Sequence, residues 1–298
     1  MIPTYNPRQE HLEQALRSVL MQDPGPDRMQ IEVVDDCSPD LDVASFVKNI
    51  GGERAAFSRN ETNLGLARAW NRCVDLSKGT WVHILHQDDY LLPGFYSKLE
   101  EAQNAHPEVS LVATRCFIVD DGGCIEEVTP RVRSLENGGR DVEGLFYHSP
   151  VRFPGIVVRK SFYEKYGGFR KDLTFTLDME MWVRTISNSG GVILPQILAC
   201  YRYTAGNATS GLIRSSEALR DELRMNRIFK QDHPNFDLER ANRIVCRYAI
   251  GRAESFARLG DSSAASANFR FWREHAPLSL RVEHYIRNAG RKVVKAWH

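Results

Sequence analysis

Asp88 and Asp89 stand side by side just after the β-rich run Thr80–Leu85, and Pro93 and Gly94 open the next helix-like segment. Adjacent carboxylates repel each other unless a cation lies near. Hard divalent ions, Mn2+ or Mg2+, bind carboxylates together with the phosphate oxygens of a substrate. The pair therefore reads as two metal ligands, or as a helix N-cap by Asp89 with Asp88 left in solvent. Asp35-Asp36-Cys37-Ser38 closes a second strand-like run. In open α/β sheets ligands bind beyond the carboxyl ends of strands, where a carboxylate can accept from a base or a ribose hydroxyl; the same residues also suit an Asx turn. The stretch from Asn63 to Asn71 looks like a loop entering a helix, with Gly65 letting a backbone come close, or like an ordinary Asn/Gly turn with Asn71 capping a neighbour. Asp178 lies with Glu180, Trp182 and Arg184 on a helix-like stretch after Gly167-Gly168-Phe169. It is a candidate general base for an acceptor hydroxyl, its pKa raised by partial burial. The plainer reading is acids in a first helical turn, with Arg184 pairing Glu180.

The elements that must position these groups alternate between strand and helix through about residue 115. Glu10–Met21 carries Leu12, Ala15, Leu16, Val19 and Leu20 at helical spacing, and Leu66–Leu76 and Pro93–His106 also read as helices. Gln30–Asp35, Thr80–Leu85 and Leu111–Val119 read as strands, so βαβ units and a mostly parallel sheet are expected. Only Met1 and Ile2 precede the turn residues Pro3-Thr4-Tyr5-Asn6, so the first strand is expected to be either truncated or a stub. Residues 120–140 read as a hairpin or loop, and 150–205 as short strands around one helix, Leu177–Asn188. Val192–Cys200 is strand-sized or is broken by Pro195. From about residue 213 the pattern is helical, over 215–230, 238–259 and 262–275, which suggests one α/β domain over 1–212 and a helical region over 213–298.

The bulk composition narrows the function. With 39 Lys and Arg against 38 Asp and Glu, no global field draws the chain to nucleic acid. The six cysteines show no paired spacing, which suits a reducing compartment, and neither a signal peptide nor an 18-residue apolar run is visible. A cytoplasmic location is expected. Residues 284–298, with Arg287, Arg291, Lys292 and Lys295, read as a solvated helix packed on one face, or as a basic amphipathic helix making a peripheral contact with the inner membrane face. The histidines lack zinc-hydrolase spacing, and GxxxxGK[ST], GxGxxG and GxSxG are absent. Asn207-Ala208-Thr209 matches a glycosylation acceptor pattern by chance.

Taken in order, Pro3-Thr4-Tyr5-Asn6, Asp35 to Asp40, Asn63 to Asn71, His86-Gln87-Asp88-Asp89, Gly167-Gly168-Phe169, Asp178 to Arg184 and Tyr201-Arg202 resemble the family-2 glycosyltransferases of the GT-A fold, over about residues 1–205. The resemblance implies a nucleotide-sugar donor, UDP-sugar first among them, and a glycan or glycolipid acceptor in surface-glycan synthesis. It also implies a base and ribose pocket at Pro3, Thr4, Tyr5 and Asp36, and a donor loop at Asn63 and Gly65. Asp88 and Asp89 become the metal motif, with Asp89 the direct ligand to Mn2+ or Mg2+. Asp178 becomes the base of an inverting displacement. The chain departs from the family where His86 replaces an acid, Leu177 replaces the acid before the base, and Thr204 replaces a histidine; by resemblance this removes one ribose or metal contact and a third metal ligand. The alternative is a catalytically inactive nucleotide-binding or scaffolding protein whose helical tail docks a partner.

Overall fold

Apolar spacing decides most of the first elements. In the computed structural model, which describes residues 1–142, 145, 150–203 and 208–286, β1 (Ile2–Thr4) is a three-residue strand. The helix α1 (Gln9–Leu20) follows, and its Leu12, Ala15, Leu16 and Val19 form one buried stripe. The strand β2 (Glu32–Asp35) is buried at all four positions, as suits the centre of a parallel sheet. Asp42 caps α2 (Val43–Gly51) by accepting from Ser45 N at 3.1 Å. The short strand β3 (Ala56–Arg59) returns parallel to β2, as β1 does on the other side. Next come α3 (Leu66–Leu76) and β4 (Trp81–His83). Leu85 N donates to Met1 O at 3.0 Å, which ties the chain beyond β4 to the start of β1.

The second sheet is built from β4, β5 (Tyr90–Leu91), and, beyond α4 (Phe95–Ala105), β6 (Leu111–Val119), β7 (Ile125–Val128), β8 (Ile156–Arg159) and β9 (Gly191–Arg202). Its order is β4-β8-β6-β9-β5, with β7 on β6. This sheet is mixed. The β6–β9 pair is parallel, but β4–β8, β6–β8, β6–β7 and β5–β9 are antiparallel. The turn of residues 120–124 is too short for a crossover, so β7 can only return antiparallel. The strand β9 runs through Pro195 rather than breaking there. Pairing passes from Ala113–Ile193 to Arg115–Ile197 across a bulge, where a residue without an amide donor has no ladder bond to make. Between β8 and β9 lie α5 (Lys160–Tyr166), unforeseen in the sequence, and α6 (Leu177–Ser189).

The chain divides into two compact units, Met1–Asp172 with Leu177–Ala205, and Leu173–Thr176 with Gly206–His298. The second unit is helical: α7 (Ala208–Arg214), α8 (Glu217–Asp232), α9 (Leu238–Arg258), α10 (Ser262–His275) and a further helical stretch over 278–286. Asp237 and Asp261 cap α9 and α10, and Leu219, Val245, Ala249, Phe271 and Trp272 form its core. Buried Asp221 collects the amides of Thr174, Phe175 and Thr176 and the Thr176 hydroxyl on one carboxylate oxygen, at 2.9–3.1 Å. The expectations for Thr204, Asn207 and the basic residues 287–298 lie outside the described residues.

Candidate active site

The carboxyl ends of β1, β2 and β4 carry loops that are sewn to one another. Thr4 Oγ1 and Tyr5 N both donate to Gln87 Oε1, at 2.6 and 2.8 Å. Asp36 N donates to Thr4 O at 2.8 Å, and Asn6 N to Ser38 Oγ at 2.8 Å. Asn6 and Cys37 take positive φ, 46° and 68°, at the two chain reversals. Asp36 is buried, and its carboxylate accepts from Asn60 Nδ2, Leu64 N and Gly65 N at 2.8–3.1 Å. It therefore holds the loop containing Asn63 and Gly65 in place. Asn63 Oδ1 accepts from Gly65 N in an Asx turn. Pro3 and Thr4 are both buried in β1, opposite Val34 and Asp35, and Tyr5 and Asn6 of that turn face solvent.

Asp88 and Asp89 follow β4. Asp89 is 1 % exposed; its Oδ1 accepts from Arg202 N at 2.8 Å, while Oδ2 is buried with no hydrogen-bond partner. Burial first, and Asp88 beside it, push the Asp89 carboxyl well above the usual carboxylate range. Arg202, at the end of β9, fastens this loop: Nε donates to Asp88 O at 3.0 Å, and its other nitrogens reach Asp120 O, Asp121 O and Gln14 Oε1. His86, Asp88 and Asp89 offer ligand atoms within 4.8 Å of one another. An unpaired buried carboxylate oxygen in that donor set fits a divalent cation.

Asp178 sits in the first turn of α6, where Met179 N donates to its Oδ1 at 2.7 Å. Burial pushes its carboxyl up, opposed in part by that amide and by the Arg152 guanidinium. The rest of α6 follows the plainer sequence reading. Arg184 pairs Glu180 at 2.7 Å and also donates to the carbonyls of Tyr166, Gly167 and Gly168. Asn71 clamps the same turn from α3, accepting from Phe169 N at 2.7 Å and donating to Phe169 O at 2.9 Å. The Tyr201 phenol feels all three aspartates. Burial pushes its phenol up, and Asp89, Asp178 and Asp88 add to the shift while Arg152, 5.9 Å from the Tyr201 ring, opposes it. An adjacent pair and a third carboxylate 89 residues further on thus act on one side chain.

A family model described as glycosyl transferase family 2 matches residues 1–167, more than half of the 298. The chain belongs to glycosyl transferase family 2. Among its relatives, an uncharacterized protein of Mycobacterium tuberculosis is 29 % identical over 236 residues, 75 % of this chain and 72 % of that one. An uncharacterized glycosyltransferase of Methanocaldococcus jannaschii is 24 % identical over 68 % of this chain and 69 % of its own. In fold, this glycosyltransferase is similar to the S. aureus protein TarS 1-349, solved in complex with UDP-GlcNAc. The TM-score is 0.65 at 15 % identity, over 94 % of this chain and 81 % of that one. It is also similar to the mannosyltransferase PcManGT of Pyrobaculum calidifontis, solved with GDP-Man and Mn2+. There the TM-score is 0.59 at 16 % identity, over 99 % and 81 % of the two chains. The fold is GT-A.

Four residues of this glycosyltransferase take positions that the sequence did not foretell. Gln87 joins the β1 and β4 loops, Arg152 stands near Asp178, Arg202 anchors the aspartate pair, and His86 faces Asp89. His86, Gln87 and Arg202 carried a signal, being members of the motifs that carry the family resemblance. Arg152 carried none.

Proposed function

We propose that this glycosyltransferase moves a sugar from a nucleotide-diphosphate sugar to an acceptor hydroxyl in a single inverting displacement. Asp178 acts as base, and Mn2+ or Mg2+ is held at Asp88 and Asp89. The observation that carries this reading is that α6, which bears Asp178, packs through Trp182 against Phe153 at 5.3 Å, and Phe153 lies 4.0 Å from His86 of the Asp88–Asp89 loop. Asp178 takes the proton of the acceptor hydroxyl while that oxygen bonds to the anomeric carbon from the face opposite the nucleotide. The bond from that carbon to the diphosphate breaks, and its electron pair leaves with the diphosphate. The cation would neutralise charge developing on that leaving group. Burial of Asp178 brings its pKa nearer working pH, which strengthens it as a base in its ionised form.

The loop face of Pro3, Thr4, Tyr5, Asp36, Asn63 and Gly65, with Asp88, is the proposed donor pocket. In it Asp36 acts by holding the Asn60–Gly65 loop. UDP is the first donor nucleotide to test, because TarS was solved with a UDP-sugar; GDP, from PcManGT, is the second. Asp89→Ala should abolish Mn2+-dependent UDP binding in calorimetry. Asp178→Asn should keep that binding and lose transfer by roughly 10²–10⁴-fold, the contribution of a positioned base. Normal transfer by Asp178→Asn sinks the assignment. A glycan or glycolipid acceptor of surface-glycan synthesis, at the cytoplasmic membrane face, completes the reading. No described helix is long and apolar enough to cross a membrane. The exposed Leu278, Val282, Tyr285 and Ile286, just ahead of Arg287, Arg291, Lys292 and Lys295, support peripheral contact instead. Failure to co-sediment with anionic vesicles would refute that part alone.

A further inference from the structure

Two histidines three residues apart make the informative comparison. His83 is an ordinary core histidine. Its Nδ1 pairs with Tyr96 Oη at 3.1 Å and its Nε2 with Pro154 O at 3.0 Å. His86 has neither kind of partner: Nε2 is buried without a hydrogen bond, and Nδ1 faces Asp89 Oδ2 at 3.7 Å, beyond hydrogen-bond reach. Yet its ring is held firmly. It stacks on Trp70 at 5.0 Å and 21°, and lies 4.0 Å from Phe153 on a plane tilted by 30°. Both flanking rings are buried. A side chain fixed this tightly, with its lone pair unspent and an unspent carboxylate oxygen opposite, has the geometry of a ligand pair.

We propose that His86 is the third protein ligand of the cation site, and that its imidazole tilts the site toward Mn2+ and Co2+ over Mg2+. This rests on the reading of Asp88 and Asp89 as that site, and it reverses the expectation that His86 is a lost contact. Two ligand atoms bound at about 2.1 Å to one ion lie no more than about 4.2 Å apart. The His86 Nδ1 to Asp89 Oδ2 distance of 3.7 Å already meets that limit. The full set within 4.8 Å needs a closure of roughly half an ångström at most. Carboxylate-only sites suit Mg2+, whereas an imidazole donor favours metals further along the Irving–Williams order.

The test uses Mn2+ as probe, with and without UDP. Pulsed EPR of the Mn2+-loaded protein should show 14N coupling, and His86→Phe, which keeps the stacked ring and removes both nitrogens, should lose it. Calorimetry should show Mn2+ affinity falling at least tenfold in His86→Phe with Mg2+ affinity changing less. His86→Asp should narrow the preference for Mn2+ over Mg2+. Mn2+ bound with no 14N coupling, or with coupling that persists in His86→Phe, overturns the role of His86 and leaves the aspartate site standing. Wild-type protein that binds no Mn2+ in either condition overturns both. A thermal melt of His86→Phe matching wild type excludes a folding defect as the cause of lost coupling.

Discussion

Arg152 tempers the proton affinity that burial gives Asp178, the proposed base. Its positive charge favours the ionised carboxylate of Asp178, against the burial that disfavours it. Removing that charge raises the Asp178 pKa further, so more alkaline solution is needed to ionise it. The acid limb of the pH profile of kcat/KM should therefore move to higher pH in Arg152→Ala and stay in place in Arg152→Lys. An unmoved limb in Arg152→Ala would separate this arginine from the base. Such a role is invisible in sequence, because Arg152 belongs to no motif and meets Asp178 only after folding. Asp36 teaches a related lesson: its place at a strand end was legible, but its three donors sit 24 to 29 residues away.

At the scale of elements, the turn Gly167-Gly168-Phe169 joins α5 toward α6 and is gripped from both sides. A Cβ on Gly168 would lie 2.1 Å from Asn71 Oδ1, and that oxygen cannot retreat without releasing Phe169 N. Gly168→Ala should cost about 1–3 kcal/mol, as overpacking does. Asn71→Ala should erase much of the added penalty in the double variant; additive costs in a denaturation cycle would refute the clamp. The helices α1 and α3 were legible because one buried face imposes a period on them, and the strand β6 because burial at nearly every position makes it a short, nearly continuous apolar run. The strand β3 was not, since Ala56-Phe57-Ser58-Arg59 is short, carries one strongly apolar residue and has no buried position to mark it. The bulge in β9 escaped too: Pro195 signals a break unless the pairing partner is known. The antiparallel share of the second sheet depends on which strands neighbour one another, and periodicity is silent about neighbours.

At the scale of the whole molecule, the second unit includes four residues that lead directly into Leu177 and Asp178. Their amides depend on Asp221. Asp221→Ala strips three backbone donors of their acceptor, and the buried Thr176 amide alone should cost about 1–3 kcal/mol as an orphan. Asp221→Asn should cost less. Both should depress kcat more than they weaken UDP binding; equal losses in the two would confine Asp221 to general stability. The same dependence has a consequence in time. During synthesis Thr176 leaves the ribosome 45 residues before the carboxylate that will receive its amide, a delay of roughly 2–9 s at 5–20 residues per second. Through that interval the nascent chain already carries Asp178, the proposed proton acceptor, yet the stretch just upstream has nothing of its final anchorage.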